Sequence, residues 1–256
     1  MGKEICIAIA GKGGTGKTTF ASLLIRNLVS KFPGKDILAV DADANANLNE
    51  VLGLEVEETI SDILSLIKDP RNVPTGMSKD MFIEFRLSQA LVEEDHMDLL
   101  VMGNPDGPGC YCYPNDLLRK YLEKLRTNYD FVILDNEAGL EHLSRRIISD
   151  IDYLLITSDA SVRGVRSASR IKDIVESVGI ETKHMYLVVG KMQDNLEKIL
   201  EPEIQKTGIE LLGYIPYDPL LVEYDVLGKP LYQLPEEAVS VKAAGELCLR
   251  LLKNPK

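Results

Sequence analysis

Ile5-Cys6-Ile7-Ala8-Ile9-Ala10-Gly11-Lys12-Gly13-Gly14-Thr15-Gly16-Lys17-Thr18-Thr19 is the stretch on which the reading of this chain turns. Its first six residues form an apolar run of strand length. Behind the glycines, Lys17–Ser30 spaces Phe20, Leu23, Leu24 and Leu28 along one side of a helix. The residues between fit G-x-x-x-x-G-K-[ST], and a strand–loop–helix setting is what gives that spacing its meaning. Glycine lets successive backbone N–H groups turn inward around phosphate oxygens, and the helix N-terminus adds its dipole. A nucleotide's phosphates are therefore expected on Gly13, Gly14, Thr15, Gly16, Lys17, Thr18 and Thr19. Lys17 would bridge the terminal phosphates and the Thr18 hydroxyl would ligate Mg²⁺. A purely structural Gly-rich turn is the plainer alternative, and the placement after a strand weighs against it.

Outward from this loop the same alternation continues. Apolar runs of strand length recur at Ile37–Val40, Leu99–Met102, Phe131–Leu134, Tyr153–Thr157, Met185–Val189 and Leu211–Ile215. None alternates strictly, as expected of strands buried on both faces of a parallel sheet. Gly164–Val178 has helical period, Ile60–Ile67 reads as a short helix, and Glu236–Leu252 reads as a closing helix. Met81–Val92 fits a helix or an edge strand. The expected fold class is α/β, a mostly parallel central sheet with helices on both faces, the P-loop NTPase fold. No repeat, low-complexity tract or linker divides the chain, so one domain over residues 1–256 is expected.

Composition sets the outer bounds. The chain has 256 residues, and 29 Lys and Arg against 40 Asp and Glu give a net charge of −11. That acidity argues against a nucleic-acid partner, whose phosphates need clustered cations. No window is apolar enough to span a membrane. Four cysteines make no disulfide framework in a chain this long, and Met1-Gly2-Lys3-Glu4 runs into a strand rather than a signal peptide. A reducing, cytoplasmic setting is the expectation.

Two strands end in acids. The second closes in Val40-Asp41-Ala42-Asp43 and continues Ala44-Asn45-Ala46-Asn47-Leu48; the strand at Phe131–Leu134 runs into Asp135-Asn136-Glu137-Ala138-Gly139-Leu140-Glu141-His142. In α/β folds the carboxyl ends of parallel strands are where ligands sit. Four apolar residues closed by an acid make a Walker B pattern, with Asp135 holding a water on Mg²⁺. A loop of helix-capping Asp and Asn would explain one of Asp41 and Asp43 but less easily both.

The string Lys12-Gly13-Gly14-Thr15-Gly16-Lys17-Thr18-Thr19 resembles the deviant P-loop of the MinD/ParA/nitrogenase-iron-protein class of dimeric ATPases. The resemblance implies a homodimer in which Lys12 reaches the partner's nucleotide as a trans-acting cation. It implies that Asp43 acts on Mg²⁺ and the attacking water, with Asp41 behind it. It also implies that Gly139 belongs to a second switch, where backbone approaches the γ-phosphate. Relatives read adenine with an Asn after the sixth strand; here Val189-Gly190-Lys191-Met192 has Gly at that position. Lys191, together with Pro216 in Ile215-Pro216-Tyr217-Asp218, is the expected base-end contact, and ATP rather than GTP follows from resemblance alone.

Cys110-Tyr111-Cys112 lies between Gly107-Pro108-Gly109 and Tyr113-Pro114. In extended chain, residues two apart project to one side, so the thiols form a two-sulfur face. A redox pair, a metal half-site and no role at all are the readings open to it. A soft metal normally takes four ligands, and a two-fold dimer would supply four sulfurs. With the Asp135-x-x-Ala138-Gly139 segment, the CxC resembles the CooC/AcsF type of nickel-insertion ATPase. That resemblance implies Ni²⁺, or Zn²⁺ in its place, on Cys110 and Cys112. The metal would go to a carbon monoxide dehydrogenase or acetyl-CoA synthase. A MinD/ParA-like positioning ATPase and an iron–sulfur electron-transfer ATPase are the alternatives. Cys6 and Cys248 read as core residues, and His142 as a helix-surface histidine ahead of a metal ligand.

Overall fold

Burial along the first strand, β1 (Ile5–Gly11), alternates between two cores: Cys6, Ala8 and Ala10 face one, Ile7 and Ile9 the other. A strand covered on both sides has no polar face, so its sequence shows no alternation. The computed structural model describes residues 4–104, 112–136 and 150–253, the side chains of 112–118 excepted. Over them run β2 (Ile37–Ala42), β3 (Val92–Glu93), β4 (Asp98–Val101), β5 (Phe131–Asn136), β6 (Ile151–Asp159), β7 (Thr182–Met192) and β8 (Glu210–Pro216). They form one eight-stranded sheet in the order β3-β4-β2-β5-β1-β6-β7-β8. Every pairing is parallel except that of β3 with β4.

Helices cover both faces. On the Ile7 and Ile9 side lie α1 (Lys17–Lys31), α2 (Leu48–Leu52) and α9 (Val239–Lys253). On the other lie α3 (Ile60–Leu66), α4 (Lys79–Gln89), α5 (Cys112–Leu125), α6 (Val162–Ser177) and α7 (Leu196–Thr207). α8 (Pro219–Val226) follows β8 and buries none of its residues. Each Val, Leu, Ile, Phe or Met side chain moved from water into these cores contributes about 1.5–3 kcal/mol. The α/β architecture expected from the strand runs is the one observed.

Three expectations change in detail. Met81–Val92 is neither one helix nor one strand: it divides between them. Ser78 caps α4 by accepting from the Met81 N–H, and α4 ends at Gln89. Val92 then pairs with Leu99 in a two-residue antiparallel edge strand. The closing helix starts at Val239 rather than Glu236, because Pro235 opens a turn in which the Ala238 N–H donates to the Pro235 carbonyl. Asp135 lies within β5 rather than after it, paired in register with Ile9 and Asp41.

Strand order places the site. From β1 the chain crosses to β2 on one side, and from β5 it returns past β1 to β6 on the other. Where the winding reverses, the loops after neighbouring strands part and leave a crevice. The glycine loop opens there. Among the described residues no helix is long and apolar enough to cross a membrane.

Candidate active site

The loop from Gly11 to Lys17 is held from below by hydroxyls. The Thr15 N–H and Oγ1 both contact the Lys12 carbonyl, at 3.2 and 2.8 Å, closing the turn. Thr15 Oγ1 also lies 2.9 Å from Thr157 Oγ1 on β6, and Thr157 Oγ1 donates to the Ala10 carbonyl. A Cβ at Gly11 would meet these two hydroxyls at 2.4 and 2.6 Å, so only glycine fits beneath the loop. Gly16, the N-cap of α1, is left-handed with φ 84°, a conformation that disfavours a Cβ. The α1 N-terminus has no side-chain cap and no acid in its first turn, so its N–H groups remain for an anion. Lys17 is buried at the base of the loop, whereas Lys12 stands exposed at its rim.

The two acidic strand ends sit beside it and differ. Asp41 is buried, with Oδ1 accepting from the Asp43 N–H at 3.0 Å and Oδ2 from the Leu48 N–H at 2.9 Å. Burial pushes its pKa up to about 6, against the pull of those N–H groups. Asp135 is equally buried, yet among the described residues neither oxygen makes a hydrogen bond of good geometry. Burial raises its pKa to about 7; the nearby Thr18 hydroxyl and Lys17 draw it down, and Asp41 and Asp43 push it up. A buried carboxylate left without partners in a native structure calls for a reason. Beside a buried lysine and a threonine hydroxyl, a hydrated divalent cation supplies one, so the donor set fits Mg²⁺. Asp43 lies farther out, with Oδ1 accepting from the Asn45 N–H and Nδ2 at 2.9 and 3.0 Å.

A cavity of about 630 Å³ opens over the glycine loop and Asp43, within the range of nucleotide and cofactor sites. Its phosphate end carries Gly13 to Thr19 with Asp43, Asn45 and Asn47. Its far end carries Gly190, Lys191, Pro216 and Tyr217, with Leu221, Val222 and Asp225 of α8. Lys191 has φ 55°, unusual for a residue with a side chain, and its Nζ lies 3.5 Å from the Gly14 carbonyl. Asp218 also borders this end, but its carboxylate is committed to structure. Oδ1 accepts from Leu220 N–H, and Oδ2 from the Ser240 N–H and hydroxyl, a set of donors that holds its pKa low despite burial.

Gly139, His142 and Cys110 lie outside the described residues, and Cys112 is described only as the first residue of α5. Among the described residues no group of three or more His, Cys, Asp or Glu is arranged to hold a metal. Cys6 and Cys248 are buried in the core, where burial lifts each thiol to about 12 and keeps it protonated. His184 stacks between Tyr153 and Tyr186, with ring centroids 5.3 and 6.3 Å away.

Sequence reasoning missed Thr157, Asn45 and the α8 wall. Thr157 closed a strand run and so read as sheet. Asn45 sits two residues past Asp43, which was the available signal. Nothing in Pro219–Val226 announces a cavity wall, since its placement depends on how β8 returns beside β7.

Residues 2–187 match the family model described as AAA domain. The chain is 41% identical to an uncharacterised ATP-binding protein of Methanocaldococcus jannaschii over 97% of its own length and 98% of that protein. It is 31% identical to the carbon monoxide dehydrogenase accessory protein CooC of Rhodospirillum rubrum, covering 89% of each chain. Among solved structures, the MinD cell division protein of Aquifex aeolicus superposes with a TM-score of 0.72 at 26% identity, covering 99% of this chain and 98% of that one.

Proposed function

The chain belongs to the AAA-domain family and is an ATPase, related to CooC and the MinD/ParA proteins; from that premise we propose that it is a metallochaperone driven by ATP. In this reading residues 1–256 form one domain that dimerises with nucleotide. Cys110 and Cys112 of each protomer together hold Ni²⁺, or Zn²⁺, across the two-fold axis. The cargo goes to a carbon monoxide dehydrogenase or acetyl-CoA synthase. What carries the reading is the relation to CooC in a chain that also holds Cys110-Tyr111-Cys112.

The chemistry follows from the cavity. Lys17 and the N–H groups of Gly13 to Thr19 hold the phosphates, and Lys191 and Pro216 border the base. Thr18 and Asp135 are the groups that would hold Mg²⁺, the second through a water; the bound ion would neutralise charge on the β- and γ-phosphates. Asp43 takes the proton of the attacking water as its oxygen bonds the γ-phosphorus and ADP departs. Lys12, exposed at the rim, reaches the partner's nucleotide, where a placed cation offsets charge on the transferred group. Gly139 lets the backbone near the γ-phosphate rearrange on hydrolysis, reopening the dimer.

Equilibrium dialysis against Ni²⁺ with ATP tests this. Wild type takes up one ion per dimer, and Cys110→Ala and Cys112→Ala each abolish it; unchanged stoichiometry in both overturns the metal site. A positioning ATPase of the MinD kind is the second reading, favoured by the structural likeness over nearly the whole chain. Sedimentation of the protein with phospholipid vesicles in the presence of ATP would establish that reading instead.

A further inference from the structure

The loop between β2 and α2 is pinned by one carboxylate. Asp41 accepts the N–H groups of Asp43 and Leu48, so both ends of the intervening turn are fixed to the sheet. Within it, the Ala46 N–H donates to the Asp43 carbonyl at 3.1 Å, and Ala46 is left-handed with φ 48°. That conformation disfavours a residue with a Cβ, so the turn is held by its hydrogen bonds rather than by local preference.

These constraints converge on Asp43. Its Oδ1 receives two donors from Asn45, the backbone N–H at 2.9 Å and Nδ2 at 3.0 Å. Its Oδ2 has no hydrogen-bond partner among the described residues. Asp43, Asn45 and Asn47 all border the phosphate end of the cavity. The two carboxylate oxygens are thereby unequal: one has its lone pairs occupied, while the other keeps its full accepting capacity. The backbone donor restrains rotation of the carboxylate through one bond to Oδ1, and the second donor, from a side chain to the same oxygen, adds to that restraint.

We propose that Asn45 is a positioning residue for hydrolysis, holding the Asp43 carboxylate so that Oδ2 alone is presented to the attacking water. This rests on the reading of Asp43 as the group that receives the water's proton. As the water oxygen bonds the γ-phosphorus, its proton passes to Oδ2; the β–γ bridging bond breaks and ADP keeps the electron pair. The side-chain length is part of the device. An amide two residues on reaches Oδ1 with a donor, an aspartate there would present a second anion, and an alanine would leave only the backbone bond.

The test is steady-state ATP hydrolysis by the full chain, with kcat and KM resolved and a non-hydrolysable ATP analogue titrated separately. Asn45→Ala should lower kcat on the order of 10-fold, a loss typical of a misplaced reacting group, with KM and analogue affinity unchanged. Asn45→Ser, which keeps a short donor, should recover much of that loss. Asp43→Ala combined with Asn45→Ala should be no slower than Asp43→Ala alone. If Asp43→Ala cripples hydrolysis while Asn45→Ala leaves kcat intact, the positioning role is wrong and the reading of Asp43 survives. If Asp43→Ala itself hydrolyses ATP at the wild-type rate, the reading of Asp43 fails. An Asn45→Ala variant that loses analogue affinity in step with kcat marks a structural role and also overturns the proposal.

Discussion

Asp41 and Asp135 occupy neighbouring strands, pair in register with each other, and are both buried; their surroundings nevertheless treat them in opposite ways. Both oxygens of Asp41 are taken by backbone N–H groups, whereas among the described residues neither oxygen of Asp135 has a hydrogen bond of good geometry, with the Thr18 hydroxyl and Lys17 nearby. Desolvation raises both pKa values, to about 6 for the first and about 7 for the second. The higher value belongs to the carboxylate that the fold does not satisfy. Asp41 is part of the scaffold that shapes the loop after β2. Asp135 is kept at a cost to the nucleotide-free protein, as expected of a group whose partner arrives with the ligand.

Breaking the comparison at Asp135 has the largest expected effect. Asp135→Asn should lower ATP hydrolysis on the order of 10–100-fold, as for other groups that orient a metal's water. The same variant should raise the melting temperature of the nucleotide-free protein at pH 8, because the desolvation that lifts this carboxylate to about 7, against the pull of Thr18 and Lys17, then has no charge to act on. A variant that is both inactive and less stable would contradict the contrast with Asp41.

Breaking it at Asp41 should do the reverse. Asp41→Ala leaves the N–H groups of Asp43 and Leu48 without acceptors, at about 1–3 kcal/mol of stability, part of it returned by losing a buried acid. Denaturant unfolding measures this, and little or no loss would show that the loop does not depend on that carboxylate.

The smallest effect sharpens the comparison through pH. Both groups start from a value of 3.8 and are raised in the folded chain. Between that value and about 6 or 7, the native protein holds protons that the unfolded chain has released. The contribution of these two groups to the stability of the nucleotide-free protein should therefore fall as pH rises from about 4 to about 7, by on the order of a few kcal/mol. Asp135→Asn should flatten the upper part of that slope, where Asp41 has already ionised. A slope unchanged in the variant would assign the effect to other groups.

Much of this was legible in the residues. The glycine loop, its Lys17 and Thr18, and the acids at the ends of two strand runs stand in local patterns whose geometry follows from the chain itself. The helix/strand uncertainty at Met81–Val92 was genuine, because the segment contains one of each and neither is long enough to impose a period. Asp135 was legible as the acid closing a Walker B strand, but nothing local says that its oxygens, unlike those of Asp41, are left without well-formed hydrogen bonds. The walls of the far end of the cavity were invisible for the same reason. Leu221, Val222 and Asp225 come to it only through the return of β8 beside β7.

By itself, then, the sequence determined that a phosphate-binding loop joins a buried strand to a helix in an α/β sheet, since backbone turns and hydrophobic period are properties of contiguous residues. Only the tertiary structure decided which carboxylate is satisfied and which is left waiting. Hydrogen-bond satisfaction depends on which donors the packed strands and loops deliver to each oxygen, and among the described residues Asp41 receives two and Asp135 none of good geometry.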